Sequence, residues 1–376
     1  MSGPLTGFRI IELAGIGAGP FCGMMLGDMG AEVISIERPG GNPAATVGHS
    51  VLFRNRRSVA LNLKNPAAAQ AVLRMCEKTD ALFESNRPGV AERLGVGPDA
   101  CLARNRKLVY GRMTGWGQDG PLAQTAGHDI NYIAIAGVLH AIGRRGEAPA
   151  IPLNLVGDFG GGGLLCAFGI VCALLEAQKT GKGQVVDAAM VDGASALMAM
   201  WWGFKQQGAF GGPRGTHLLD SGAHFYEVYE TSDGQHLAIG AIEPQFYAEL
   251  RDKLGLGADF NNQMDARRWP EMKQKLAAVI RGHTREHWCA LFDGSDACVA
   301  PVLSLEEVAA HPHNRARKAF LDVAGTVQPA PAPRFSRSPA EAPRPQQRVG
   351  ADTDAVLQEF GFSANEVEAI RRPGAN

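Results

Sequence analysis

Phe-Arg-Ile-Ile-Glu-Leu at residues 8–13, a glycine-rich turn at 14–20 and Glu-Val-Ile-Ser-Ile at 32–36 decide the fold. Both apolar runs are short and rich in β-branched residues, which is typical of buried strands. The chain between them, from Phe21 to Met29, predicts a helix. A strand, a helix and a second strand at this spacing predict a βαβ unit with parallel strands.

The same pattern continues along the next part of the chain. Apolar residues recur at helical spacing in 66–77, and further strands are predicted at 59–63, 81–84 and 108–112. Strands that alternate with helices imply an α/β fold with an open, largely parallel sheet.

Changes of pattern divide the chain into four predicted parts. A large domain covers 1–200 and includes an almost wholly apolar core helix at 164–178. A linker at 201–225 leads to a small α+β domain at 226–326, which opens with a hairpin and continues with amphipathic helices. Six prolines between 327 and 348 favour extended backbone, so 327–376 is predicted to be a linker and a C-terminal segment that returns to the large domain.

Composition narrows the classes of partner. The chain has 376 residues, 37 Lys and Arg against 38 Asp and Glu, so it has no overall basic field for nucleic acid or an anionic membrane. The apolar stretch 188–202 is too short for a membrane span and contains Asp192. Seven scattered cysteines suit a reducing compartment, and no signal peptide is recognised, so we expect a cytoplasmic protein.

The turn at 15–20, Gly-Ile-Gly-Ala-Gly-Pro, resembles a dinucleotide-binding motif, with Glu37 near the position of a ribose-binding acid. The third glycine of that motif is replaced by Pro20, which has no amide donor. The favoured interpretation is a tight turn with Pro20 at the first helical position. Binding of NAD or of another ligand is left open.

Two polar clusters interrupt apolar surroundings: Gly-His-Asp-Ile-Asn-Tyr at 127–132 and Asn-Leu-Val-Gly-Asp-Phe-Gly at 154–160. His128 next to Asp129 is typical of a structural pair, and Asp158 could cap a helix that begins near Gly160. Capping does not require the four glycines at 160–163. They predict a bare helix start, whose amides could receive an enolate oxygen.

Longer motifs resemble the family III CoA-transferase superfamily over residues 3 to about 360. Four of them are Pro-Leu-x-Gly-x-Arg-Ile-Ile-Glu-Leu at 4–13, Gly-Asp-Met-Gly-Ala-Glu-Val at 27–33, Glu-Arg-Pro at 37–39 and Asn-Arg-Arg-Ser at 55–58. Four more are similar to the acyl-CoA racemases of that superfamily, at 127–132, 152–159, 181–188 and 240–247.

The resemblance implies a racemase that interconverts (2R)- and (2S)-2-methylacyl-CoA thioesters through an enolate. His128 and Asp158 would exchange one proton with opposite faces of the alpha carbon, and Glu243 would hydrogen-bond His128 and set its tautomer. Since CoA is part of the substrate, no metal or redox cofactor is implied.

Contacts to the CoA ester are also implied by the resemblance. They are Arg38, Leu61, Asn62, Leu63, Lys64, Ser85, Asn86, Arg87, Arg93, Gly127, Asp129, Ile130, Asn131 and Tyr132. The cations would meet phosphates. One loop departs from the family pattern: Ser-Asn-Arg-Pro-Gly at 85–89 replaces Asn-aromatic-Arg-Pro-Gly, which affects contacts at the adenine end.

The resemblance further implies a Rossmann-like large domain and an interlocked homodimer, in which each active site combines the large domain of one subunit with the small domain of the other. Three rival functions remain: a CoA transferase with an Asp nucleophile, an NAD-dependent oxidoreductase and a non-catalytic CoA-ester binding protein. His283, His287 and Cys289, or His311 and His313, offer no closed set of metal ligands.

Overall fold

The computed structural model describes residues 2–41 and 49–371, and the chain divides into two compact units. The first contains Met1–Ala136, Leu153–Met198 and His313–Asn376. The second contains Gly137–Pro152 and Ala199–Pro312.

A six-stranded sheet forms the centre of the first unit. Its strands are β1 (Arg9–Leu13), β2 (Glu32–Glu37), β3 (Arg56–Ala60), β4 (Ala81–Glu84), β5 (Val109–Thr114) and β6 (Val185–Ala189). They lie in the order β3-β2-β1-β4-β5-β6, and every neighbouring pair is parallel. The predicted parallel α/β fold is confirmed, and the strand order is that of a Rossmann-like sheet.

Helices connect the strands in both units. In chain order they are α1 (Ala18–Asp28), α2 (His49–Leu52), α3 (Pro66–Cys76), α4 (Val90–Arg93), α5 (Pro98–Arg104), α6 (Asp129–Ile135), α7 (Val138–Ala141), a π-helix (Leu155–Leu164), α8 (Leu165–Thr180), α9 (Met190–Leu197), α10 (Ala199–Gln206), α11 (Pro244–Leu254), a 3₁₀ turn (Ala258–Phe260), α12 (Trp269–Ile280), α13 (Arg285–Phe292), α14 (Leu305–Val308), α15 (Pro312–Ala316), α16 (Thr353–Glu359) and α17 (Ala364–Arg371).

The central strand β1 supplies two cores, because its side chains alternate between the faces of the sheet. Ile11 and Leu13 pack in one core with residues of α3, α16 and α17. Ile10 packs in the other with residues of α1 and α8. Burial on both faces explains why the strands are continuous apolar runs in the sequence.

The C-terminal segment is held against β3 by hydrogen bonds. The Asn55 N–H donates to the Arg344 carbonyl at 3.0 Å, and the Ser58 N–H donates to Asp352 Oδ2 at 2.9 Å. Beyond these contacts, Val356 and Leu357 of α16 are fully buried in the core that contains α3. Two short strands, β10 (Phe320–Val323) and β11 (Thr326–Pro329), form an antiparallel pair upstream of this segment.

The second unit is built on an antiparallel sheet of β7 (Tyr226–Glu230), β8 (His236–Gly240) and β9 (Val299–Pro301). β7 and β8 form the predicted hairpin. Helices α11 and α12 pack their apolar faces with these strands in a separate core, which includes Phe225, Leu237, Leu250 and Leu276.

The structure differs from the sequence prediction at several places, and α10 (Ala199–Gln206) occupies the first part of the predicted linker at 201–225. The third strand is Arg56–Ala60 rather than 59–63, because the buried Arg56 guanidinium pairs with Glu12 at 2.9 Å. The strand β6 had no counterpart in the prediction. Residues 137–152 belong to the second unit, where Arg144 pairs with the buried Glu227 at 2.8 Å.

The π-helix and α8 form a continuous helical segment, Leu155–Thr180, which has the length and hydropathy of a membrane span. Its most apolar window is 44% buried, and core helices of soluble proteins meet the same criteria. Cys166, Ile170 and Leu174 pack with β4 and β5 residues in one of the sheet's two cores. The predicted core helix at 164–178 is confirmed, with bounds of Leu165 and Thr180 for its α-helical part.

Candidate active site

The strand order reverses between β1 and β4, and the loops that follow these two strands meet at the carboxyl edge of the sheet. In open α/β sheets, such a switch point is the usual place for a ligand crevice. A Cβ on Gly15 would overlap Ser85 Oγ, and one on Gly19 would lie 3.0 Å from the same atom. The glycine-rich turn therefore makes room for the loop after β4.

Most of the residues predicted to bind the CoA ester follow strands at this same edge. Arg38 follows β2, residues 61–64 follow β3 and residues 85–87 follow β4, while Arg93 ends α4. Since the strands are parallel, their carboxyl ends lie side by side. The contacts with CoA remain predictions.

Asp158 lies in the first turn of the π-helix, not at the cap of a helix that begins near Gly160. The expected helix start was wrong because the sequence pattern contains no signal for the wider π turn. Asn154 is the N-cap residue, and the Phe159 N–H donates to its carbonyl at 3.3 Å. π-helical turns are rare and are frequent at functional sites.

The glycines 160–163 lie inside this helix and do not expose its N-terminus. A Cβ on Gly161 would lie 2.6 Å from the Ala194 nitrogen, and one on Gly163 would lie 2.6 Å from the Ala18 carbonyl oxygen. The glycines thus let the π-helix approach the backbones of α9 and α1. The expectation that their amides receive an enolate oxygen is wrong, since amides inside a helix are bonded to its carbonyls.

The Asp158 carboxyl is partly buried among polar neighbours. Asn154 Nδ2 donates to its Oδ2 at 3.2 Å, and a Cβ on Gly17 would lie 3.4 Å from the same oxygen. Burial raises the pKa of Asp158 above its usual value, the Asn154 hydrogen bond opposes this rise, the charge of Asp129 adds to it, and His128 opposes it. The charge of His128 therefore acts on Asp158, as the smallest of these four influences on its pKa.

His128 is the N-cap residue of α6 and is exposed to solvent. Its backbone N–H donates to Asn131 Oδ1 at 3.0 Å, which fixes the start of the helix. Asn131 and Ile130 are also exposed, whereas Asp129 and Tyr132 are buried. The first turn of α6 therefore presents the imidazole to solvent while it buries the neighbouring carboxylate.

Tyr132 is a buried residue of α6, one turn after His128. Its hydroxyl donates to the Gly127 carbonyl, and its ring contacts Trp116 edge-on at 4.8 Å. A Cβ on Gly127 would lie 2.7 Å from this ring. Burial raises the pKa of Tyr132, Asp158 adds to the rise, and Arg87 lowers it, so the hydroxyl stays protonated.

Glu243 lies in the second unit, at the N-cap of α11. Its carbonyl accepts the Tyr247 N–H at 3.0 Å, but its exposed side chain makes no capping hydrogen bond. The helix therefore begins at this residue, directly before Pro244, without using its carboxylate as a cap. Its pairing with His128 remains a prediction.

Sequence reasoning missed three features of the site. Gly17 was assigned to the turn alone, whereas it lies against Asp158. Phe21 stacks on Phe159 at 4.6 Å, which ties α1 to the π-helix beside Asp158. Asn154 was recognised only as part of a motif, without the role of hydrogen-bond donor to Asp158, and no signal short of the structure identifies that contact.

No group of three or more His, Cys, Asp or Glu side chains within residues 2–41 and 49–371 is arranged to hold a metal ion. The His283 and His287 rings are stacked at 4.0 Å on the surface of the second unit. All seven cysteines are free thiols, and four of them are buried.

Comparison with known proteins gives a consistent result. The model of CoA-transferase family III matches residues 5–353. Over 96% of the chain and 95% of each relative, the sequence is 48% identical to alpha-methylacyl-CoA racemase of Mus musculus and 46% identical to that of Homo sapiens. A crystal structure of a CAIB/BAIF family protein from Brucella suis has a TM-score of 0.82 at 25% identity and covers 96% of this chain and 100% of that chain.

Proposed function

The chain belongs to CoA-transferase family III, and we propose that it is an isomerase that racemises 2-methylacyl-CoA thioesters. The observation that carries the reaction is the identity of almost half of all residues, over nearly the full length, with two alpha-methylacyl-CoA racemases. The mechanism is supported by the partly buried Asp158 carboxyl, which lies against Gly17 of the turn after β1 and whose pKa is raised by burial.

In the proposed reaction, neutral His128 takes the alpha proton of the (2S) thioester. The electron pair of the broken C–H bond moves to the thioester oxygen and forms an enolate. Protonated Asp158 then gives its proton to the opposite face of the alpha carbon, which restores the carbonyl and leaves the (2R) epimer. The charged pair returns to its first state by exchange with water, and the reverse reaction begins with ionised Asp158 and protonated His128.

The surroundings of Asp158 suit a carboxyl group that acts as an acid in one direction and as a base in the other. A carboxyl at its ordinary pKa would hardly be protonated near neutral pH, and it would rarely be available as an acid. Burial raises the pKa of Asp158, which brings it closer to the working range of a general acid. Each of the two proton carriers is expected to contribute about 10²- to 10⁴-fold.

The other parts of the proposal concern the substrate and the cell compartment. We propose that Arg38, Arg87 and Arg93 bind CoA phosphates, that the adenine end lies near the Ser-Asn-Arg-Pro-Gly loop, and that no metal or redox cofactor takes part. Glu243 would hydrogen-bond His128 and hold its tautomer. A cytoplasmic location is part of the same proposal.

We also propose an interlocked homodimer. One face of the π-helix and α8 is apolar and open: Leu164, Phe168 and Leu175 are 47%, 65% and 54% exposed. Contiguous apolar surface of this kind is typical of an interface that a partner covers. Analytical ultracentrifugation of Phe168→Glu tests this: we expect a shift toward monomer relative to the original chain, and an unchanged mass would remove this face from the interface.

The reaction is tested with one epimer of a 2-methylacyl-CoA in deuterated water, without acceptor acid or NAD. We expect epimerisation and uptake of deuterium at the alpha carbon in step. If neither occurs, the racemase proposal fails. A parallel reaction with a free carboxylic acid as acceptor detects CoA transfer, the activity after which the family is named, and a new thioester there would favour Asp158 as a nucleophile.

A further inference from the structure

Asp129 is a carboxylate that the structure buries immediately beside Asp158. Only 6% of its surface is exposed, so its side chain is poorly placed to contact CoA, the role implied for it by resemblance. Burial of a carboxylate destabilises the fold unless the carboxylate is hydrogen-bonded, so the partners of Asp129 are informative.

One oxygen of Asp129 holds the backbone of the residue that carries the acid. The Asp158 N–H donates to Asp129 Oδ2 at 2.7 Å, across a separation of 29 residues in sequence. A Cβ on Gly157 would lie 2.6 Å from that same oxygen, so only glycine admits the carboxylate at this position. The first turn of the π-helix is therefore shaped around Asp129.

The other oxygen of Asp129 is unusual. Oδ1 is buried and has no hydrogen-bond partner among the described residues. A buried acceptor without a partner is destabilising. A carboxylate kept at this cost indicates a need for its charge, since a neutral amide could accept the Asp158 N–H equally well.

We propose that Asp129 is a positioning residue: its carboxylate holds the Asp158 backbone, and its negative charge favours the protonated, proton-donating form of the Asp158 side chain. This inference rests on the proposed racemase function. Repulsion between two nearby carboxylates stabilises the state in which one of them is protonated.

The other groups around Asp158 do not supply this charge. His128 and Tyr132 face it from α6, and the imidazolium form of His128 acts in the opposite direction. Asn154 donates a hydrogen bond from the helix start, and α1 contributes Gly17 and Phe21. The packed helix α9 carries Asp192, which is exposed and screened by water.

The sign of the expected pH effect follows from the protonation states. Racemisation stops at low pH when Asp158 and His128 are both protonated, since no base is then left. The acidic limb of the pH profile therefore follows the first ionisation of the pair, in which the Asp158 proton takes part. Removal of the charge of Asp129 makes that proton leave at lower pH, so the acidic limb moves to lower pH.

The test compares Asp129→Asn with Asp192→Asn. The amide at 129 can still accept the Asp158 N–H but has no charge, while Asp192→Asn removes an exposed charge. We expect kcat of Asp129→Asn to fall about 10-fold with KM nearly unchanged, and the acidic limb to move to lower pH. Asp192→Asn should match the original protein in both.

A second measurement does not depend on turnover. Titration of ¹³C-carboxyl-labelled aspartates, with the Asp158 signal identified by its loss in Asp158→Asn, should show Asp158 ionising at lower pH in Asp129→Asn. An unmoved titration and acidic limb would overturn the inference. If the original protein fails to racemise while this titration moves, the racemase function fails and the pairing of the carboxyls stands. If Asp129→Asn does not fold, Gly157→Ala, which displaces the Asp129 carboxylate, must lower the pH at which Asp158 ionises in the same titration.

Discussion

Two glycine-rich segments lie on either side of Asp158, and they do different things. At 15–19, the missing Cβ atoms make room for side-chain oxygens, those of Ser85 and Asp158. At 161–163, they make room chiefly for backbone atoms of α9 and α1. In the sequence, the first segment favoured a tight turn, and only the second favoured a ligand at a helix start.

The difference teaches what a glycine signal can mean. A side chain opposite a glycine can rotate away, and the space it leaves can be taken by a ligand. A backbone opposite a glycine cannot move without separating two helices. The first segment therefore makes space for Ser85 and Asp158 at the carboxyl edge of the sheet. The second holds the helix that carries Asp158 against its neighbours.

The largest expected effect on turnover comes from substitution of Asp158 or His128, the two proposed proton carriers. Asp158→Asn and His128→Ala should each lower kcat by about 10³-fold or more, because each removes one acid and base from the alpha carbon. Stopped assays of epimerisation with chiral separation of the products measure this loss.

These two variants should keep the melting temperature and the oligomeric mass of the original chain, which separates loss of chemistry from loss of fold. Turnover near that of the original protein in either variant would remove that residue from the mechanism. The two glycine segments could then not be explained by the placement of a catalytic pair.

The second effect concerns helix packing. Gly161→Ala should destabilise the fold by about 1–3 kcal/mol, because its methyl group would meet the Ala194 nitrogen and the Met190 carbonyl of α9. The midpoint of urea unfolding measures it. A variant as stable as the original would mean that α9 moves away from the π-helix at no cost. The glycines at 161–163 would then not be required for the packing of these two helices.

How much of this was predictable depends on the range of the interactions. The sheet follows from local signals, since runs such as 8–13 and 32–36 are apolar throughout and strands buried on both faces need that pattern. The pairing of Asp158 with Asp129, and of Arg144 with Glu227, joins residues far apart in sequence. Only an assembled backbone reveals such contacts, and the candidate pair His128 and Asp158 was recognised through extended motifs rather than through spacing.

The third effect is smaller and falls on the site. Gly17 has φ 65° and ψ −109°, a conformation that disfavours alanine, and the new methyl group would lie 3.4 Å from Asp158 Oδ2. We expect Gly17→Ala to lose about 1–2 kcal/mol of stability and on the order of tenfold in kcat, because a small displacement of a proton donor slows transfer. Steady-state kinetics and thermal unfolding, measured on the same variant, would show whether kcat falls by more than the loss of folded protein explains. If the loss of folded protein explains the whole loss of activity, Gly17 serves the turn alone.

The smallest effect serves as the matched control for all glycine variants. Gly203 lies within α10, and among the described residues no atom outside its own helix neighbours lies within 4 Å of its ideal Cβ. Gly203→Ala should therefore stabilise the chain by about 0.5–1 kcal/mol, since alanine favours a helix over glycine and nothing obstructs the methyl group. The same urea titration detects the gain. A loss of stability that grows with protein concentration would instead mean that a second copy of the chain packs against Gly203. The added methyl group would then clash with that second copy in the dimer.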